Sequence, residues 1–228
     1  MIPLRDDNKA QRVPVVTRAL ILANVVAFAF ELSLGDSLTE FMREWGVVPG
    51  RLIASFSGDT SLPVEFATLL TSMFLHGGWL HLIGNMWYLW IFGDNVEDRM
   101  NPVRYLFFYL AAGVFAALVH SALLPGSPVP TVGASGAIAG VLGAYAQAYP
   151  RARVLTLIPV FFFFQVVAIP ALILLGVWFL IQFISGTLSF GSGSGGVAWW
   201  AHIAGFVFGF VTMALMNRRR PSRAEVVG

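Results

Sequence analysis

Cysteine is absent from the 228-residue chain, which excludes disulfides, thiol catalysis and thiolate metal sites together. Charge is scarce as well: 11% of residues are charged, against roughly 25% in soluble domains. No His-Glu-x-x-His stretch occurs and no carboxylate cluster lies inside an apolar run, so metal hydrolysis and aspartyl intramembrane proteolysis both lack their reacting groups. The nearest carboxylates, Asp94, Glu97 and Asp98, stand with Arg99 in a polar turn suited to capping helices and pairing charges. No metal and no other cofactor is implied, and a net charge of only +2 gives no sign of a nucleic-acid partner.

What the chain has is apolar length. It is 57% hydrophobic with a mean hydropathy of +0.75, the composition of an integral membrane protein. Reading apolar runs of about 17–25 residues as spans predicts six helices, near residues 15–34, 77–93, 103–124, 133–149, 168–185 and 197–216, the second and fourth short and polar at their starts. The first run is about twenty residues long and has no small-residue cleavage site in a polar flank, so it reads as a span and not as a secretory signal. With six spans, 12 of the 14 Lys and Arg fall on one side, and only Arg43 and Arg51 on the other. The positive-inside rule then puts both termini in the cytoplasm. The expected organisation is a cytoplasmic segment over 1–14, one all-α membrane domain over 15–216, and a basic cytoplasmic tail over 217–228 that is expected to be disordered.

Residues 35–75 mix Trp45, Phe56, Phe66 and Met73 with charges, a pattern of short helices lying in the interface. The stretch from Val154 to Ile169 is apolar, with Pro159 inside it, Pro170 just after it and phenylalanine at 161–164; it reads as partly interfacial and leading into span five. The loop over 191–196 is Gly- and Ser-rich and uncharged, a composition that favours mobility.

Spans two, four and six all run in one direction, so their N-terminal residues share a leaflet. His76, His81 and Asn85 begin span two, Ser135 begins span four, and His202 lies one to two turns into span six. Ser135, Ala139 and Gly143 follow one helical line with Gly136 and Gly140 beside it, leaving a flank nearly bare of side chains for a neighbouring backbone. His202, Gly205 and Gly209 share a face of span six. A serine needs a base to become a nucleophile, and neutral histidine is the natural one in a low-dielectric site. With no carboxylate near His202 in the sequence, a dyad is favoured over a triad. His81 and Asn85, four residues apart on one helix face, can both donate toward one point, as an oxyanion requires, with the Ser135 backbone N–H beside them. His76 lies about 140° around the helix from His81 and is expected to support the neighbouring loop. His120, late in span three, reads as an interfacial histidine.

His76-(x4)-His81-(x3)-Asn85, then Gly-Ala-Ser-Gly at 133–136, then Ala-His-x-x-Gly at 201–205, on spans two, four and six of six, resemble the rhomboid family of intramembrane serine proteases over about residues 71–209. The resemblance implies Ser135 as nucleophile, His202 as general base, and His81 with Asn85 as the side-chain part of the oxyanion hole. His76, Gly133, Gly136 and Gly205 are cast as supporting residues. It also implies a water-filled pocket above Ser135, a partly embedded first loop, and a cap and lateral gate corresponding to residues 191–196 and span five, where Phe179 and Phe183 are placed near the gate. Two departures stand out: the family's Trp-Arg pair is not evident in the first loop, and Ala139 occupies a position where some bacterial members carry a tyrosine that stacks on the histidine. Trp199, Trp200 or backbone packing are the candidates to orient His202 instead. The expectation is a six-span protease of the cell's inner (plasma) membrane, acting on single-span membrane proteins within the lipid bilayer. A rhomboid-like client-binding protein would ordinarily have lost the serine or the histidine. A small transporter should show ionisable residues buried mid-span, where only Glu31 comes near.

Overall fold

A computed structural model describes residues 1–58, 61–160, 163–189 and 197–218. The first span is α1 (Val15–Ser33). It has no side-chain cap of its own; the Glu97 carboxylate accepts from the Val16 and Thr17 backbone N–H groups at 2.9 and 2.8 Å and from the Thr17 hydroxyl at 2.8 Å. Glu97 belongs to α5 (Trp79–Met100), so a negative charge at the positive end of one helix ties it to another, the capping expected of this polar turn. Between them lie α2 (Leu38–Trp45), α3 (Pro49–Ser55) and α4 (Leu62–Thr71), the short helices anticipated for residues 35–75.

After α5 come α6 (Pro102–Leu123), α7 (Ser135–Ala148), α8 (Ala171–Leu188) and α9 (Trp199–Arg218). Among the described residues, four helices are long and apolar enough to cross a bilayer, α1, α6, α8 and α9, and α4 with α5 adds a fifth if the pair, bent by 81°, is one span. The remaining expected crossing is α7, whose 14 residues extend about 21 Å, less than the ~30 Å of hydrocarbon in a bilayer. It is interior: every residue from Gly136 to Ala146 is buried. Glycine explains how neighbours come so close. A Cβ on Gly205 would overlap the Gly136 carbonyl oxygen, one on Gly209 that of Gly140, and one on Gly143 that of Phe206, so α7 and α9 meet backbone to backbone.

The all-α expectation needs correction. Strands β1 (Ile2–Asp6), β2 (Arg153–Val160) and β3 (Phe163–Pro170) form an antiparallel sheet in that order. The expected lead-in to span five is therefore two paired strands, β2 and β3, and the helix of span five starts only at Ala171, after Pro170. The physical reason lies in the composition: Val, Ile, Thr and Phe suit a pleated surface, and Pro159 and Pro170 bar a helix. The segment over 1–14 is joined to the membrane domain through β1, which runs along α5. Trp87 Nε1 donates to the Pro3 carbonyl at 2.6 Å and Asn95 Nδ2 to Asp6 Oδ2 at 3.0 Å. These helix positions are about 12 Å apart, matching about 10 Å between Pro3 and Asp6 in extended chain. The sheet thus climbs beside α5 toward the end of the bundle where α5, α7 and α9 begin.

Candidate active site

Those three helix starts carry the polar residues singled out in the sequence. Ser135 is the first residue of α7, where backbone N–H groups have no intrahelical partner and no side chain caps them. His202 stands within the first turn of α9, drawn against Ser135 by the glycine contacts below it. Its Nε2 lies 2.8 Å from Ser135 Oγ, within hydrogen-bond range.

The facing wall comes from α5. Gly77 N–H donates to His81 Nδ1 at 3.3 Å, which leaves the ring proton on Nε2. That nitrogen points at Gly133, where a Cβ would stand only 2.7 Å away, and Gly133 takes φ +124°, a conformation few L side chains adopt. Glycine at 133 is therefore required twice over, by backbone and by space. Asn85 is buried beside it, and its Nδ2 has no partner among the described residues. The backbone N–H of His76 donates to the Glu31 carboxylate of α1 at 3.2 Å, and its ring packs on that of His81, with centroids 5.1 Å apart. Gly136 admits Ala116 of α6 against α7, a Cβ there lying 2.8 Å from that of Ala116.

Ser135, His202, His81 and Asn85 open on a common cavity of about 1160 Å³. Three further residues stand in its wall, of which Trp178 and Gln182 went unrecognised in the sequence. His120, read there as an interfacial histidine, is buried, lines this cavity, and its Nδ1 has no partner among the described residues. Trp178 lays its ring beside that of His202, centroids 6.0 Å apart at 33°. Gln182, buried one turn further along α8, brings Oε1 to 2.7 Å from His202 Nδ1. Trp199 also meets the imidazole, edge-on at 6.4 Å, whereas Trp200 packs edge-on against Phe183. Phe179 packs on Phe206, so Phe179 and Phe183 occupy the seam between α8 and α9, and the cavity face of α8 belongs to Trp178 and Gln182. The 191–196 loop, Phe161, Phe162 and the tail from Arg219 lie outside the described residues.

Fold and site together define a helical membrane protein with a serine and a histidine hydrogen-bonded in a largely apolar cavity. The Rhomboid domain model matches residues 63–219, and the chain belongs to the rhomboid family. Over 132 residues it is 36% identical to rhomboid protease GluP of Bacillus subtilis (strain 168), covering 58% of this chain and 24% of that protein. The human mitochondrial presenilin-associated rhomboid-like protein is 30% identical over 125 residues, 54% of this chain and 33% of its own. RHOMBOID-like protein 6, mitochondrial, of Arabidopsis thaliana is 41% identical over 76 residues, 33% and 24% respectively. The chain thus spans about a quarter to a third of the length of these relatives.

Proposed function

We propose that this protein is an intramembrane serine endopeptidase, with Ser135 as nucleophile and His202 as general base. The observation that carries the reading is the 2.8 Å approach of His202 Nε2 to Ser135 Oγ inside a cavity that also receives His81 and Asn85. Ser135 gives its proton to Nε2 as its oxygen attacks a peptide carbonyl. The resulting oxyanion accepts from His81 Nε2–H, Asn85 Nδ2 and the Ser135 backbone N–H, donors set in place before the reaction. The imidazolium then protonates the leaving amine, and water resolves the acyl-enzyme by the same route in reverse.

Substrates are single-span membrane proteins whose segment unwinds beside the cavity, because helical carbonyls are hydrogen-bonded and shielded. Six crossings, with both termini cytoplasmic in the inner (plasma) membrane, complete the proposal. The resemblance to rhomboid protease GluP supports the peptidase reading. Labelling of detergent-purified protein with a fluorophosphonate probe tests it. Labelling that vanishes in Ser135→Ala and His202→Ala is expected. A wild type left unlabelled where a known rhomboid protease labels would hand the site to a client-binding function.

A further inference from the structure

We propose that Gln182 is the positioning residue of this site, holding His202 in the tautomer that leaves Nε2 free to take the serine proton. The proposal rests on the reading of Ser135 and His202 as nucleophile and base. Imidazole has two neutral tautomers, and only the one protonated at Nδ1 can accept at Nε2. Gln182 Oε1, an acceptor, lies 2.7 Å from Nδ1, so Nδ1–H donates to it, and Nε2 presents its lone pair to the Ser135 hydroxyl 2.8 Å away. The chain Ser135 O–H to His202 to Gln182 is then consistent in every donor and acceptor.

The placement of Gln182 argues that this bond is its purpose. From Val154 to Asn217 the sequence holds no Asp, Glu, Lys or Arg, and Gln182 is 6% exposed in the middle of an apolar helix. A buried amide there costs free energy unless it finds a partner. Thr187 of the same helix turns back to the carbonyls of Phe183 and Ile184, whereas Gln182 reaches across to α9. Trp178, four residues earlier and hence on the same face, holds the flat of the ring. Together they do the orienting that Ala139, a bare methyl with no exposure, cannot. The other groups facing His202 are Ser135 from α7, His81 from α5, His120 from α6 and Trp199 from its own helix. Of these only the two histidines titrate, and no carboxylate lines the cavity among the described residues. Gln182 therefore supplies the geometric half of what an aspartate does in a triad, without its charge.

Two variants of the full chain in detergent, labelled with a fluorophosphonate probe across pH, test the assignment. Gln182→Met keeps the volume and removes the acceptor; its labelling rate is expected to fall roughly 10–100-fold with an unchanged unfolding midpoint, less than the ~10⁴ lost when a triad's orienting carboxylate is replaced. Gln182→Glu keeps an acceptor and adds charge that favours the imidazolium, so the acid limb of the pH–rate profile should move up by about 1–3 units. A merely structural glutamine would not move that limb. In ¹⁵N-histidine spectra, with His202→Gln as the assignment control, wild type should carry the His202 proton on Nδ1 and Gln182→Met should lose that preference. Wild-type labelling rates in Gln182→Met, a superimposable profile in Gln182→Glu, or a proton on Nε2 in wild type would each overturn the proposal. If wild type does not label at all, the nucleophile reading fails on its own, and the nitrogen spectrum still decides the tautomer.

Discussion

The carbonyl oxygen of Gly136 stands where a Cβ on residue 205 would have to be. Gly136 follows Ser135 directly and Gly205 lies one turn after His202, so the same close contact that joins α7 to α9 sets the separation of the Ser135 and His202 side chains. Gly205→Ala should cost about 1–3 kcal/mol through overpacking, or more if α9 cannot shift, and should abolish fluorophosphonate labelling by parting Ser135 from His202. Gly176→Ala on α8 is the control, because its Cβ meets nothing within 4 Å. Comparable losses in both variants would mean that the close contact has no special role.

Substitutions at Asn85 and His81 separate labelling rate from stability. Asn85 Nδ2 is buried without a partner, an arrangement that costs folding free energy and makes sense if the donor waits for substrate. Asn85→Ala is expected to slow labelling by about 10²–10³ with an unfolding midpoint equal to or above wild type. His81→Ala loses the acceptor of the Gly77 N–H and the ring packed on His76 as well, so both rate and midpoint should fall. Equal midpoint losses in the two variants would count against Asn85 as a waiting donor.

The helix-borne half of this site was legible because helical spacing is a strong rule. Ser135, His202, His81 and Asn85 each occupy the start of a helix whose apolar run marks its limits, and the glycine lines announced the α7–α9 approach. Gln182 and Trp178 escaped notice, and His120 was noticed but not joined to the site, because each is a single residue in an apolar helix, with no spacing to tie it to another. The signal for Gln182 was its amide in a long uncharged stretch, which demands a partner without naming one. The sheet was hidden for a different reason. A continuous apolar run has no period to tell strand from helix, and β1 pairs with a segment some 150 residues away.

Arg51 organises the segment over 35–75, where no Trp-Arg pair was found. Its Nη1 donates to the Arg43 carbonyl at 2.6 Å, its Nη2 reaches those of Glu44 and Gly46 at 3.2 and 3.3 Å, and its Nε lies 2.7 Å from Glu65 Oε1. Only a planar fork satisfies these acceptors at once. Arg51→Ala should lower stability by about 2 kcal/mol, below the 3–5 typical of a fully buried pair because the guanidinium is partly exposed. Arg51→Lys, which keeps the charge but not the fork, should recover less than half of that loss. Thermal unfolding in one detergent ranks the three proteins, and a lysine variant equal to wild type would reduce the interaction to simple charge.

Asp6 predicts the pH dependence of stability. It is half-buried at the foot of the sheet, where the Tyr145 hydroxyl and the Asn95 amide both donate to its Oδ2. Burial raises its carboxyl to about 6, against the opposing Tyr145 hydrogen bond, and Asp94 and Asp7 push the same way. The folded protein therefore holds this proton up to about pH 6, while the unfolded chain releases it near pH 4. Between those values the native state binds more protons, and stability contributed by Asp6 falls as pH rises. Asp6→Asn keeps an oxygen for Tyr145 and Asn95 but cannot ionise. It should match wild type near pH 4 and become progressively the more stable of the two until about pH 6–7, where the difference levels off. Paired unfolding midpoints measured across that range check the sign: a difference that stays flat would mean the carboxyl ionises in the folded protein at its ordinary value, and one that grows below pH 4 instead would mean it is held below that value.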